Sequence, residues 1–327
     1  MKILITGGTG FLGGPLTQRL IEANHSVRLF SRQRPPTADS KNIEWIEGDL
    51  KDPEAVRKAV ADVEVIYHLA GLVSFNPEDG PKMYELHVHC TRLLLKEAKE
   101  ARVKRFILAS TSGTIAMSRQ DRVFTEDADY PITVVGKWPY YLSKIYEEKL
   151  TLAFCRSNDL PLIVLNPSLL LGPGDDRLSS TWIVSKFLKG DLPTVPNGGL
   201  SFVDVRDAAN AFVEALTRGE VGGRHLLGVN MRLSEFFARL ERISQVRGPS
   251  LRLPSNLNLI GAKVLQKWAH LRGAEPAMEV ASVEIGEHFF YLDASKAERE
   301  LGFKARDPQE TLFDTVKYIQ GKNTPVS

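Results

Sequence analysis

The sequence predicts an α/β chain, a doubly wound parallel sheet followed by a smaller C-terminal domain. Three observations carry this. Short apolar runs alternate with helical patterns through the first half, a glycine-rich turn joins the first run to the first helix, and the rhythm breaks after Asn166. Runs at 3–5, 27–30, 43–46, 65–68, 106–108 and 162–165 are short and apolar enough to be buried strands. Helical patterns lie between them at 16–22, 54–60, 83–101 and 140–157. Buried strands alternating with amphipathic helices imply a parallel sheet covered on both faces by right-handed crossovers. Ligands of such folds lie at the carboxyl ends of the strands.

Residues 1–165 form the first expected domain, and 166–327 mainly the second, where Gly172-Pro173-Gly174, Pro193, Pro196 and Gly198-Gly199 punctuate the chain. The segment 201–217 is expected to return to the first domain, with 201–205 as another strand beside it. No internal repeat or low-complexity segment interrupts either part.

The 327 residues carry 42 Lys+Arg against 40 Asp+Glu, a formal charge of +2, and 43% are hydrophobic. That apolar share supports a sizeable core, and the near balance of charge leaves no electrostatic footprint for nucleic acid or an anionic membrane. Cys90 and Cys155 are too few for a disulfide framework and lie in no metal-ligand spacing. The N-terminus turns polar soon after Ile5, and the longest apolar stretch, 160–171, is interrupted by Pro161, Asn166, Pro167 and Ser168. Both features predict a cytoplasmic protein without an export signal or membrane span.

Gly7-Gly8-Thr9-Gly10-Phe11-Leu12-Gly13 follows the first strand and opens the first helix. Gly7 permits a tight turn, Gly10 lets the backbone approach a pyrophosphate, and Gly13 allows close helix–strand packing. The helix N-terminus presents N–H groups to phosphate. The context is that of a dinucleotide-binding Rossmann domain. Where NAD-binding domains place an acid to hold the ribose 2′-hydroxyl, this chain has Ser31-Arg32-Gln33-Arg34, with no acid before Asp39. A guanidinium at Arg32, helped by Ser31 and Arg34, suits a 2′-phosphate, so NADP is expected over NAD. The competing reading is a solvated loop.

Pro139-Tyr140-Tyr141-Leu142-Ser143-Lys144 reads as a helix opening with proline in its first turn. Tyr140 and Lys144, four apart, project from one face. A nearby ammonium stabilises phenolate, so the pair predicts a tyrosine with a lowered pKa, able to exchange a proton with a carbonyl or alcohol oxygen.

Together these two motifs resemble the extended short-chain dehydrogenase/reductase superfamily. Gly48-Asp49-Leu50, His68-Leu69-Ala70-Gly71, Asn166-Pro167-Ser168 and Val203-Asp204-Val205-Arg206-Asp207 match it further, as does Asp293-Ala294-Ser295-Lys296 through Leu301-Gly302-Phe303. The chain looks most like the dihydroflavonol 4-reductase-like group, which includes hopanoid-associated epimerase homologues. The resemblance implies a hydroxyl after the fifth strand that orients the reacting oxygen. Thr111 occupies that position, with Ser112 next to it, although such a hydroxyl run can also simply end a strand. It further implies that Thr9, Phe11 and Leu12 join the glycines at the cofactor, that Asp49 and Leu50 flank adenine, and that Ala70 and Gly71 pass beneath. Lys144 would hold the nicotinamide ribose, and Pro167 and Ser168 would meet the ring. Members often pair through their helices, which is compatible with a homodimer.

The chain departs from the family at His87-Val88-His89-Cys90-Thr91, where Asn-Val-x-Gly-Thr is common. His87 replaces an active-site asparagine. It is either a proton relay or a helix histidine satisfied by backbone or water.

Ser74, Phe75, Asn76, Trp138, Ser168, Leu170 and Trp182 are the candidate substrate residues. Their aromatic, weakly charged character favours a hydrophobic carbonyl compound over a sugar diphosphate, which calls for fixed Arg or Lys contacts. The alternative is that the aromatics are core. Leu257, Ile260, Val264, Trp268 and Leu271 recur at helical spacing, and read as a helix packed on the second domain or as a surface contact. The expected activity is NADP(H)-dependent reduction of a ketone or aldehyde. The rivals are an epimerase or dehydratase that recycles its cofactor in place, and a cofactor-sensing regulator, for which a Tyr140/Lys144 pair has no use.

Overall fold

A computed structural model describes residues 1–35, 40–249, 251, 253–255, 257–261, 263–264 and 280–323. The first half runs β1 (Lys2–Thr6), α1 (Gly13–Glu22), β2 (Ser26–Ser31), β3 (Ile43–Glu47), α2 (Pro53–Val60), β4 (Val65–His68) and α3 (Gly80–Tyr84). A π-helical stretch (Glu85–Cys90) leads into α4 (Thr91–Glu100), followed by β5 (Arg105–Ala109), β6 (Val123–Phe124), α5 (Ile132–Val135) and α6 (Pro139–Ser157). Next come β7 (Leu162–Pro167), β8 (Leu169–Leu171), α7 (Trp182–Leu188), β9 (Gly199–Asp204), α8 (Val205–Glu214), β10 (Arg224–Leu227) and β11 (Val229–Arg232). The chain closes with α9 (Leu233–Ser244), α10 (Val280–Gly286), β12 (Tyr291–Leu292), α11 (Ser295–Leu301) and α12 (Pro308–Asn323).

Seven strands form one parallel sheet in the order β10-β7-β5-β4-β1-β2-β3. All six expected strands lie within it. Alternation along β1 divides the core: Ile3 and Ile5 join Leu16, Leu20 and Phe212 on one face, while Leu4 joins Ile66, Leu94 and Phe106 on the other. Each such fully buried side chain contributes about 1.5–3 kcal/mol. The strand order reverses direction between β1 and β4, which opens the crevice where doubly wound sheets bind ligands.

The strand at 201–205 forms as β9, and its Val203 packs in the core of the main sheet with Ile3, Ile5 and Leu165. It pairs with β8 and β11 in a separate three-stranded sheet, because Leu200 and Phe202 bury against Leu171, Phe187 and Phe236. The seventh strand of the main sheet is instead β10, and α8 is the element that returns to pack on α1. Leu257, Ile260 and Val264 are 47–62% exposed, so the described part of that apolar stripe is not packed on the second domain. Trp268 and Leu271 lie outside the described residues. No described helix is long and apolar enough to cross a membrane.

Candidate active site

The glycine turn is shaped by close approach. Gly7 has φ +75°, and a Cβ there would stand 2.6 Å from the Ala70 nitrogen. A Cβ on Gly13 would stand 2.4 Å from the Gly7 carbonyl oxygen, which also accepts the Gly10 N–H at 2.9 Å. No side chain caps α1, and its first turn carries no acid, so its N-terminus remains suited to an anion. These features fit a dinucleotide pyrophosphate held against Ala70 and Gly71.

At the end of β2, Arg32 is exposed and makes no hydrogen bond, ion pair or ring contact among the described residues. Ser31, expected as its helper, is engaged internally. Its hydroxyl donates to the Gln33 carbonyl at 2.7 Å and accepts from Trp45 Nε1 at 3.1 Å. The Arg34 guanidinium lies over the Trp45 ring. Asp49 accepts the Lys51 N–H at 3.0 Å and Leu50 is buried, while Asp39 lies outside the described residues.

Helix α6 opens at Pro139 and carries Tyr140 and Lys144 one turn apart. Thr111 sits in extended backbone just past β5, where its hydroxyl accepts the Gly113 N–H at 3.3 Å, and it shares a cavity wall with Tyr140. Burial pushes the phenol up to about 12; the nearby Thr111 hydroxyl opposes the rise and the charge of Glu147 adds to it. The expected lowering by Lys144 does not appear. Lys144 Nζ donates to the Ala109 carbonyl at 2.9 Å and pairs with Glu147 Oε2, so its charge is compensated within the helix.

Glu147 and its neighbour Glu148 are both fully buried and escaped the sequence reading. Glu147 Oε1 accepts from Thr91 at 3.2 Å, and Thr91 in turn lies 2.8 Å from His68 Nε2. Glu148 accepts from Ser110, from Thr114 at 3.0 Å, from Asn166 at 2.8 Å and from Tyr130 at 3.1 Å. It thereby clamps the loop that carries Thr111 and occupies the first of the three hydroxyls there. Their spacing, three and four residues past Lys144 on the same helix face, was the available signal.

His87 is buried inside the π-helical stretch, and both ring nitrogens are engaged. Nε2 accepts the Leu72 N–H at 3.0 Å, so Nδ1 carries the proton and faces Ser143 Oγ at 2.9 Å. Ser143 donates onward to the Tyr140 carbonyl at 2.9 Å. The residue thus fixes the 72–73 backbone against α6, as the backbone-satisfied reading expects.

Beyond Tyr140 lies a cavity of about 260 Å³ lined by Phe75, Thr111, Tyr140, Pro167, Ser168, Leu170 and Trp182 from the sequence candidates. Ser168 keeps its hydroxyl on the Leu227 carbonyl at 2.8 Å. Three candidates are not on the wall. Ser74 donates to Asp79 at 2.8 Å, Asn76 caps the following turn through the Glu78 N–H, and Trp138 packs behind the wall against Tyr141 and His288. The sequence reading missed Tyr141 beside Tyr140 on α6, Leu200 on β9, and His288 and Phe290 from the irregular segment after α10, which all line the cavity. No Lys, Arg, Asp or Glu lines it among the described residues.

A parallel sheet with a glycine cradle at its switch point, facing a tyrosine–threonine pair, defines a dinucleotide-dependent enzyme of the extended short-chain dehydrogenase/reductase type. The chain belongs to the NAD dependent epimerase/dehydratase family, whose model matches residues 3–228. It is 30% identical over 97% of its length, and 94% of the relative's, to a putative dihydroflavonol 4-reductase of Synechocystis sp.. It is 27% identical to sterol demethylase protein B of Methylococcus capsulatus, over 98% of both chains. The solved structure of gox2253 superposes with a TM-score of 0.84, at 28% identity and 98% coverage of each chain.

Proposed function

We propose that the chain is an NADP(H)-dependent reductase of an apolar ketone or aldehyde, reversible as an alcohol dehydrogenase. The observation that carries this is Tyr140 and Thr111 side by side on the wall of a cavity with no charged lining among the described residues. A sugar diphosphate would leave its charges without fixed partners there. The sterol and flavonol names of the two relatives agree with a bulky apolar substrate.

In this reading Gly7, Thr9, Gly10, Phe11, Leu12 and Gly13 surround the pyrophosphate, and Arg32 takes the 2′-phosphate. Asp49 and Leu50 flank the adenine, with Ala70 and Gly71 beneath, and Pro167 and Ser168 meet the nicotinamide. A bound nicotinamide supplies hydride to the carbonyl carbon, or removes it from the alcohol. Thr111 donates a hydrogen bond to the substrate oxygen and orients it toward the phenol. Tyr140 gives that oxygen its proton and is reprotonated from solvent. Lys144, an ammonium with a third donor beyond Glu147 and the Ala109 carbonyl, holds the ribose hydroxyls. The residues after 166 supply most of the remaining cavity wall and exclude water.

The test is to denature freshly purified protein and identify any released nicotinamide, then to follow NADPH oxidation with aromatic and aliphatic ketones. Reversible NADPH uptake and ketone-dependent oxidation, lost by about 10²–10⁴-fold in Tyr140→Phe with cofactor affinity retained, supports the reading. Near-stoichiometric NAD⁺ in the purified protein, with no net consumption, replaces it with the epimerase reading.

A further inference from the structure

Among the described residues that line the cavity, His288 alone carries a buried polar side-chain atom without a protein partner, its Nε2. The residue follows α10 and is 3% exposed. Its Nδ1 faces the Glu284 carbonyl at 2.8 Å. A carbonyl only accepts, so Nδ1 carries the proton and Nε2 of the neutral ring is a lone-pair acceptor. Burial and the nearby Arg119 and Lys137 lower the imidazole pKa, which keeps the ring neutral. Trp138 stands edge-to-face at 5.2 Å and fixes the ring plane from behind the wall.

An acceptor buried with neither water nor a protein partner is left unsatisfied at a cost, which a hydrogen-bond donor on an entering ligand recovers and an apolar ligand does not. We propose that His288 is a specificity-determining residue that accepts a hydrogen bond from a hydroxyl of the substrate. The substrate class is then a hydroxylated apolar ketone, its carbonyl at Thr111 and Tyr140 and its hydroxyl at His288. This rests on the cavity being the substrate site of the reductase reading. Sites that hydrogen-bond a substrate hydroxyl reject analogues lacking it far more strongly than apolar pockets reject a missing methylene.

The test uses two aryl ketones, one with a phenolic hydroxyl distal to the carbonyl and one with a methoxy group in its place. Binding is read from tryptophan fluorescence, since Trp182 lines the cavity, and kcat/KM is read with NADPH. The wild-type protein is expected to bind the hydroxy ketone at least about tenfold more tightly, and His288→Phe to bring the two within about twofold. His288→Gln is the second variant. Its amide can donate to the ether oxygen, so it narrows the ratio by improving methoxy binding. Equal wild-type affinities, or a preference that survives both substitutions, overturns the proposal. Binding with the expected ratios but without turnover overturns the reductase reading and leaves the His288 contact standing.

Discussion

Lys144 and Glu147 form an ion pair one helical turn apart, with both side chains almost wholly buried. Glu147 Oε1 also terminates a polarised chain. Thr91 donates to Glu147, so its oxygen accepts from His68 Nε2, leaving His68 Nδ1 to accept from Thr6 at 2.7 Å. Burial lowers the His68 pKa to about 3, so the chain runs through a neutral imidazole. The ammonium that the sequence assigns to Tyr140 is thus shared with a carboxylate that the sequence reading did not weigh.

This pair should make stability fall with rising pH. Burial raises Glu147 to about 7, against 4.5 for the free group. Between those values the unfolded chain has released the proton and the folded chain retains it, so stability declines from about pH 4.5 to 7 and is level above. The shift corresponds to a loss on the order of 3 kcal/mol. Glu147→Gln removes this component, so its stability relative to wild type should increase across that window. Urea denaturation of both proteins at pH 5 and pH 7.5 checks it, and a constant difference between them contradicts it.

The pH dependence of turnover should report where Lys144 points. With the phenol at about 12, Tyr140 keeps its proton throughout pH 6–9. Ketone reduction, which needs that proton, should therefore show no loss on its account. Alcohol oxidation needs the phenolate and should rise about tenfold per pH unit over the same range. A rise that levels off near pH 7 means that Lys144 has left Glu147 and stabilises the phenolate. Measuring kcat/KM in both directions separates the two cases.

Periodic segments were legible without the structure because one physical rule governs each. The four residues of β4 and the opening of α6 at Pro139 follow from unbroken apolar runs and from proline at a helix start. Gly7 and Gly13 were legible because only glycine tolerates those approaches. The side chains that clamp the site were not, since Glu147 and Glu148 look like ordinary solvated helix charges until α4, β5 and β7 are packed around them. Strand β10 was hidden for a similar reason: Arg224 and His225 interrupt its apolar run, and their polar groups are satisfied only in the fold, by the Glu126 and Ala128 carbonyls and by Glu300. His288 belongs to no periodic pattern.

His87 should prove structural rather than catalytic. His87→Ala leaves the half-buried Leu72 N–H without its acceptor, at a cost of about 1 kcal/mol. It also removes the spacer between the 72–73 backbone and α6, so the melting temperature should fall. The pH profile of kcat/KM should keep its shape, since no proton passes through a ring whose two nitrogens are held by Leu72 and Ser143. A shifted or flattened limb in the profile contradicts this and restores the relay.

Arg32 should decide which nicotinamide cofactor is used. It stands exposed at the carboxyl end of β2, beside Ser31 whose hydroxyl is occupied by Gln33 and Trp45. In the proposed reading the 2′-phosphate would be held chiefly by the Arg32 guanidinium, since Arg34 lies over Trp45. A charge-assisted, solvent-accessible contact contributes about 1.5–3 kcal/mol, so Arg32→Ala should weaken NADPH by roughly 10–100-fold and leave NADH nearly unchanged. Because the contact is exposed, the loss should shrink as ionic strength rises. Titrating both cofactors into wild type and variant at two salt concentrations reads all of these effects at once. Equal losses for NADPH and NADH would show that Arg32 supports the loop and does not read the phosphate.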